Sequence, residues 1–266
     1  MKYIDAHSHL NIEPLYSMRG EVIERMREKG IQTITIGVDY ETSKKAIELA
    51  LEFPDVCIGA TIGQHPNDNP EEVFEYEKFL ELAQHPKVLG IGECGLDYFR
   101  LKGSNDEQEC EKARQAVLFR THIKLAQETG KPLMIHARPS KGAMDTYEEV
   151  LRMLEEENFS GKVDFHFFVG DLRIAKEIVA HGWSMSFDGP ITFAREYDEV
   201  IQYIPLEQIM CETDAPFAAP VPHRGKTCEP WMVEEVVKKI AEIKKLPITE
   251  MNEQILKNIT KYYGFK

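Results

Sequence analysis

The strongest constraint on the fold of this chain is a regular alternation of short apolar segments with longer amphipathic ones. The short segments have the length of β-strands, and the longer ones carry apolar residues at helical spacing. The strand-like segments are 3–9, 32–38, 56–63, 88–92, 132–137, 163–168, 183–187 and 209–212. The helical segments are 19–29, 42–52, 70–84, 106–129, 142–157, 171–181, 195–203, 229–243 and 247–263. Such alternation predicts a parallel sheet with helices packed outside it.

Signals for helix ends agree with this alternation. Residues 42–43 (Thr-Ser) precede an apolar-periodic segment, and residues 69–72 (Asn-Pro-Glu-Glu) would place proline and acids in a first turn. Gly30, Gly130 and Gly182 each follow a helical segment directly, where glycine readily ends a helix. The boundaries therefore favour separate helices between the strands.

The number of repeats selects one architecture. The chain has 266 residues, and a closed (β/α)₈ barrel commonly uses about 250 residues in a single domain. An open doubly wound sheet would normally have a glycine-rich phosphate loop after its first strand, whereas residues 7–9 here are His-Ser-His. Because no linker or low-complexity segment interrupts the pattern, we predict a TIM (β/α)₈ barrel in one domain, 1–266.

The charge balance limits the kind of partner. Asp and Glu number 45 against 32 Lys and Arg, so the formal net charge is −13. A protein that coats nucleic acid needs a basic surface, and this composition argues against that function. A small or locally bound anionic substrate stays compatible, because a few cations or metal ions can reverse the potential inside one cleft.

Compartment can also be inferred from the sequence. No run of about 18 apolar residues is present, so we expect no transmembrane helix. The first residues lack the apolar segment of a signal peptide. Five scattered cysteines without a CxxC pair favour a reducing, cytoplasmic environment over a disulfide framework.

Ionisable residues recur where the predicted strands end, and in a barrel these ends converge on one face. They are His7, His9, His65, Glu93, His136, Arg138, His166 and Asp214. Side chains at i and i+2 of a strand point to the same side, so His7 and His9 can bind one metal ion. Four histidines with two acids suffice for two ions that share a bridging carboxylate, an arrangement suited to hydrolysis.

The same residues lie in ordered motifs that resemble the TatD-like metal-dependent hydrolases (TatD-type DNases) of the amidohydrolase superfamily. The resemblance runs nearly end to end. It is carried by IDAHSH (4–9), GQHP (63–66), GECGLDY (92–98), IHAR (135–138), HFFVG (166–170), ETDAP (212–216), RGK (224–226), EP (229–230) and the closing Asn258.

The resemblance implies a TIM barrel with a dinuclear metal centre and divalent-metal-dependent nuclease activity, often exonucleolytic on single-stranded ends. In it, one ion would be held by His7, His9 and Asp214. The other would be held by His136 and His166. Glu93 would bridge the two, and His65 and Arg138 match family positions near the substrate phosphate.

The chemistry can be stated from the residues as well. A metal-bound water has a pKa near neutrality, and Asp214 can accept its proton and pass it to the leaving group. We therefore assign catalytic roles to Asp214 and Glu93. We assign substrate binding to His65, Arg138 and Arg224, although Arg224, on a loop of the active face, could equally form a surface salt bridge.

Several nearby residues have more than one interpretation. Glu212 is predicted to support a ligand or a loop, and Asp97 to orient a ligand histidine or to cap a turn. His122 is predicted to be structural or solvent-facing, and the aromatic run 165–168 to pack in the core around His166.

These observations predict a divalent-metal-dependent hydrolase, a phosphodiesterase or deoxyribonuclease acting on single-stranded ends. A small-molecule amidohydrolase that cleaves a C–N or carboxylic ester bond on the same site is the alternative, and a binding protein without activity is a third. The expected cofactors are two divalent ions, Mg²⁺, Mn²⁺ or Zn²⁺. The expected partner is nucleic acid or a small molecule, with no membrane and no obligate protein partner.

Overall fold

Parallel strands follow one another around the molecule in chain order, and each pairs with the next. The computed structural model describes residues 3–67 and 73–265. The strands are β1 (Tyr3–Ser8), β2 (Ile31–Ile36), β3 (Cys57–Ile62), β4 (Val88–Asp97), β5 (Leu133–Arg138), β6 (Val163–Phe165), β7 (Ser184–Phe187) and β8 (Ile209–Cys211). The segment after β8 pairs with the end of β1, because the Asp214 amide donates to the His7 carbonyl (3.0 Å) and the His9 amide donates to the Ala215 carbonyl (2.7 Å). The predicted TIM (β/α)₈ barrel is confirmed.

Helices surround this barrel. They are α1 (Arg19–Lys29), α2 (Tyr40–Glu52), α3 (Tyr76–Ala83), α4 (Asn105–Thr129), α5 (Asp145–Glu156), α6 (Leu172–Ala180), α7 (Asp198–Tyr203), α8 (Val233–Lys244) and α9 (Ile248–Tyr263). Short 3₁₀ turns cover Gly189–Thr192, Leu206–Gln208 and Pro230–Met232. None of the helices in the two described ranges is long and apolar enough to cross a membrane.

The helix ends follow local sequence signals. Asp39 caps α2, and its carboxylate accepts from the Thr42 amide, so α2 begins before the predicted residue 42. Gly30 and Gly130 end α1 and α4 in the left-handed conformation, as predicted. The predicted start of a helix at 69–72 lies outside the described residues, and α3 begins at Tyr76.

Strand β4 is longer than its apolar run indicates. It continues to Asp97, so Glu93 lies within the strand and not at its end, which corrects the prediction. The cause is visible at Gly92 and Gly95, which adopt positive φ angles and approach β5 closely. A Cβ atom at Gly95 would lie 2.1 Å from the His136 carbonyl oxygen, so only glycine allows this approach.

The C-terminal helix closes the opposite side of the molecule. The Asn258 side chain in α9 donates to the carbonyls of Leu206 (2.6 Å) and Ile209 (2.7 Å), and the Tyr262 hydroxyl donates to the Leu133 carbonyl. These bonds fix α9 to the strands, whose carboxyl ends point away from it. The ionisable residues therefore gather on the other face.

Candidate metal centre

Strand β1 presents two imidazoles to the same point. His7 and His9 are both buried, and their Nε2 atoms lie 3.0 Å apart. Two imidazole nitrogens that face each other so closely need a proton or a cation between them, because their lone pairs repel each other when neither nitrogen is protonated. This pair marks the first part of a candidate cation site.

Glu93 stands between two groups of nitrogens. Its Oε2 atom lies 3.5 Å from His7 Nε2 and 3.6 Å from His9 Nε2. Its Oε1 atom lies 2.9 Å from His136 Nδ1 and 2.8 Å from His166 Nε2. One carboxylate thus offers one oxygen to each group.

Asp214 completes the first group. Its Oδ1 atom lies 3.5 Å from His7 Nε2 and 3.3 Å from His9 Nε2. The residue has a φ of 53°, which is uncommon for a residue other than glycine. Phe167, next to His166, has a φ of 45°. Backbone strain of this kind gathers at functional sites, where the surrounding structure holds it in place.

These donor atoms fit metal ions. A tetrahedral site with bonds of about 2.1 Å places its ligand atoms about 3.4 Å apart. In the first group, the distances of His7 Nε2 and His9 Nε2 from each other and from the Glu93 and Asp214 oxygens range from 3.0 to 3.6 Å. Those in the second (Glu93, His136, His166) range from 2.8 to 3.3 Å. Histidine nitrogens and carboxylate oxygens suit several divalent ions.

The outer nitrogens of three histidines have fixed partners. His9 Nδ1 lies 3.2 Å from the Ile36 carbonyl. His136 Nε2 lies 3.2 Å from Asp97 Oδ2, and His166 Nδ1 lies 3.2 Å from Glu212 Oε1. Such partners select the tautomer that leaves the inner nitrogen free for a metal.

Both roles weighed for Asp97 are present, because its Oδ1 atom also accepts from the Arg100 amide (3.2 Å). Glu212 likewise orients a loop as well as a histidine, since its Oε1 atom accepts from the Phe167 amide (2.7 Å). The sequence predicted that His166 lies within a strand. Strand β6 ends at Phe165, so His166 lies just beyond the strand and the prediction is corrected. Glu212 holds the turn on which His166 lies.

Sequence reasoning missed two supporting residues. Asp5 is fully buried and accepts from the Thr213 amide (2.9 Å) and hydroxyl (2.7 Å), which ties β1 to the segment that carries Asp214. Its position two residues before His7 was the available signal. Met134 lies with its sulfur 3.0 Å from His7 Nδ1, a contact between strands that no local pattern predicts.

The ionisation of the acids follows from these contacts. Burial alone would raise the pKa of Glu93, but the charge of His166 and the hydrogen bonds from His136 and His166 lower it well below its ordinary value. Burial would also raise the pKa of Asp214, whereas its bond with His9 lowers it. Both acids are therefore carboxylates near neutral pH.

His65 differs from the other histidines. Burial and then the charge of His136 lower its pKa to about 3, so the imidazole is neutral. Its Nδ1 atom accepts from the Asn67 amide (3.2 Å), which places the ring proton on Nε2. That Nε2 lies 3.6 Å from Glu93 Oε1 at the centre. His65 thus offers a neutral hydrogen-bond donor and not a cation.

A cavity of about 460 Å³ opens over these residues. His65, Arg138, Tyr197 and Phe217 are among the residues that line it. Phe167 lines it too, so the expected core role of the aromatic run is wrong for this residue, while Phe165 and Phe168 are buried. Arg224 does not line the cavity but lies over the Phe193 ring, 3.8 Å from its centroid.

Comparison with known proteins agrees with this geometry. The family described as TatD related DNase matches residues 4–264. The chain belongs to the TatD family. Among its relatives, the uncharacterized metal-dependent hydrolase YabD of Bacillus subtilis is 37% identical over 252 residues, 93% of each chain. The uncharacterized metal-dependent hydrolase TatD of Mycobacterium tuberculosis is 32% identical over 270 residues, 98% of this chain and 97% of the relative.

Solved structures of TatD proteins share the fold. A TatD homologue from Escherichia coli superposes with a TM-score of 0.87 at 24% identity and covers 100% of this chain and 99% of its own. A TatD family protein from Entamoeba histolytica gives 0.85 at 22% identity, with 99% and 98% covered. The chain is thus a metal-dependent hydrolase of the TatD family, built on the barrel that these structures share.

Proposed function

We propose that this TatD family member is a phosphodiesterase, a deoxyribonuclease that acts on single-stranded ends. In this proposal, His7, His9 and Asp214 would hold one divalent ion, and His136 and His166 would hold the second. Glu93 would offer one oxygen to each of the two groups. The facing donor atoms and the two oxygens of Glu93 support this division. Mg²⁺, Mn²⁺ and Zn²⁺ all suit such mixed ligands.

The bound ions would supply Lewis acidity and would lower the pKa of the attacking water. Asp214, ionised and at the cavity wall, accepts the proton of that water and returns it to the leaving oxygen. His65 donates a hydrogen bond from Nε2 to a substrate oxygen. Glu93 holds both halves of the site in register.

The observation that carries the choice of a phosphodiester is the state of Arg138. Its guanidinium is at the cavity wall and lies over the Phe99 ring, 4.5 Å from the centroid. Within the described ranges it has no carboxylate partner, whereas Arg120, Arg152 and Arg173 each pair with an acid. An unpaired guanidinium beside a metal centre suits a phosphate oxygen and has no evident use for a neutral amide.

The test compares Arg138→Gln with Arg138→Lys on labelled single-stranded DNA. Loss of a charge-assisted hydrogen bond in the transition state lowers kcat/KM by about 30-fold. We expect Arg138→Gln to show this loss and Arg138→Lys to recover part of it. Equal cleavage by wild type and Arg138→Gln would contradict the role of Arg138. Hydrolysis of amides or carboxylic esters with DNA left intact would favour the amidohydrolase alternative.

We also propose that the protein acts in the cytoplasm. The five cysteines are unpaired in the structure, in line with a reducing cytoplasm. Nucleic acid ends are the proposed partner, and the reaction as proposed requires no second protein.

A further inference from the structure

Three segments on the cavity side of the barrel have a charge opposite to that of the whole molecule. The segments 98–104, 139–144 and 215–228 contain Arg100, Lys102, Lys141, Arg224 and Lys226, and they contain no acid. We call these three segments the basic loops. The whole chain carries a net charge of −13, so this local excess of cations stands against the general trend. Such a patch concentrates anions near the site and is screened by salt.

On one side of the cavity mouth, an arginine guanidinium stacks on an exposed aromatic ring. Phe193 follows the 3₁₀ turn after β7, and Arg224 lies on the loop after β8. The Phe193 side chain is 39% exposed, and the Arg224 guanidinium lies 3.8 Å from its centroid. In the part of the chain that the structure describes, the Arg224 side chain has neither an ion pair nor a hydrogen bond.

The two loops that carry Phe193 and Arg224 also form part of the cavity wall. Tyr197 and Phe217, on the same two loops, line the cavity. The Val221 amide donates to the Thr192 hydroxyl (2.9 Å) and holds the two loops together. Because the two loops are bonded to each other and form part of the cavity wall, we infer that the pair lies at the rim of the cavity.

A second pair of the same kind lies across the mouth. Phe99 is 52% exposed, and the Arg138 guanidinium lies over its ring. Phe99 follows β4 and Arg138 ends β5, whereas Phe193 follows β7 and Arg224 follows β8. Three strand positions separate the two pairs around an eight-stranded barrel, so they flank the metal centre from different sides.

We propose that Phe193 and Arg224 form a second nucleotide subsite, outside the metal centre, for single-stranded nucleic acid. Arg224 binds a phosphate next to the one being cleaved, and the exposed part of the Phe193 ring stacks with a base. The substrate is therefore an oligonucleotide that spans both pairs, and not a mononucleotide or a small phosphate ester. This inference rests on the proposed phosphodiesterase function and adds the length of the substrate to it.

The chemistry of the pair supports this occupant. Proteins that bind single strands without sequence preference combine cations along the backbone with aromatic rings under the bases. A guanidinium that stacks on an aromatic ring has its N–H groups in its own plane, so they stay free to bind a phosphate. Because these groups are local, the acidic remainder of the surface does not prevent binding of one strand end.

The test measures affinity for labelled oligothymidylates with phosphorothioate linkages, which resist cleavage, by fluorescence anisotropy on the metal-loaded protein. We expect Phe193→Ala and Arg224→Gln each to raise the Kd of an octamer about tenfold. The Kd of a dinucleotide should change less than twofold. Arg224→Gln should also reduce the slope of log Kd against log salt by about 0.7, the value for one lost phosphate contact on a single strand. Phe193→Leu, which keeps the volume without the ring, should behave as Phe193→Ala does.

Matched controls come from the outer helices. Arg173→Gln removes one cation from α6, and Tyr203→Ala removes an exposed aromatic residue from α7. Both should leave the octamer Kd unchanged. Unchanged octamer affinity in Phe193→Ala and Arg224→Gln would overturn the subsite, and so would equal losses for both lengths. If the unmodified DNA is still cleaved in that case, only the subsite is wrong. If no oligonucleotide is cleaved by wild type, the proposed function is wrong.

Discussion

At the scale of single residues, the centre depends on how Glu93 is surrounded. Five imidazoles direct nitrogens at its two oxygens from 2.8 to 3.6 Å. Removal of one residue therefore affects both candidate ion positions. Each histidine in turn depends on an outer partner, and two of these partners are carboxylates, Asp97 and Glu212.

The first prediction concerns those partners. Glu212→Gln keeps the volume but gives His166 a weaker acceptor, and Asp97→Asn does the same to His136. Changes of outer partners typically cost 10- to 100-fold in metal affinity. We expect a loss of about tenfold for each variant, measured by titration calorimetry against a competing chelator. Glu207→Gln, on the surface, is the control, and unchanged affinity in Glu212→Gln would show that His166 does not need its partner.

The second prediction concerns pH and His122. Its Nδ1 atom donates to the Leu118 carbonyl (2.9 Å), and its Nε2 atom accepts from the Gln64 amide (3.0 Å), beside His65. Burial lowers the pKa of His122 to about 4. In the unfolded chain this histidine has its ordinary pKa of about 6.5. Between pH 4 and pH 6.5 the unfolded state therefore binds more protons than the folded state. Stability due to His122 is therefore present above pH 6.5 and is lost as the pH falls toward 4.

His122→Gln removes this titration while its amide can serve both bonds. Between pH 7 and pH 5, wild type should lose about 2 kcal/mol more unfolding free energy than the variant does. Urea unfolding of the two chelator-treated proteins at both pH values measures the difference. Identical losses would mean that His122 titrates normally in the folded protein.

At the scale of elements, β4 and β5 bring Glu93 to the histidines. The third prediction tests their close approach at Gly95. Gly95→Ala places a methyl group against the His136 carbonyl and should cost about 3 kcal/mol or more of unfolding free energy. Gly130→Ala, at the end of α4, has a positive φ but open space around it and should cost about 1 kcal/mol. Similar urea midpoints for the two variants would contradict the packing argument.

The elements also show what a sequence can and cannot indicate. The His-x-His pattern placed His7 and His9 correctly because strand alternation is a local rule. The extent of β4 was not predictable from its apolar run, because glycines at 92 and 95 are read as breaks in a sequence but here allow pairing. The partners Asp5 and Met134 were missed because their contacts cross between strands.

At the scale of the whole molecule, the alternation of strand-like and helical segments was enough to predict the barrel, because the same strand–helix unit repeats along the chain. Charge was less informative. The net charge of −13 limited the kind of partner, but it did not show that the basic loops gather on one face. That arrangement depends on the order of strands in the closed sheet, which brings distant segments together.

The fourth prediction concerns metal and global stability. A ligand that binds only the folded state at 100 times its Kd adds about 2.7 kcal/mol. For a chain of this size, that amounts to a rise in Tm of about 5 °C. Differential scanning calorimetry with and without chelator measures it, and Glu93→Ala should remove the difference. A Tm independent of chelator in wild type would contradict a metal centre within the barrel.

We propose that this chain hydrolyses single-stranded nucleic acid, with two divalent ions that Glu93 and the neighbouring ligands would hold. One measurement tests it most directly: metal content and cleavage of end-labelled single-stranded DNA, followed in the same samples of wild type, Glu93→Ala and Asp214→Asn. The account predicts two equivalents of metal and progressive shortening from one end in wild type. Metal should be lost in Glu93→Ala, and cleavage should fail in both variants. Intact DNA and RNA with wild type that holds two equivalents of metal would contradict the account.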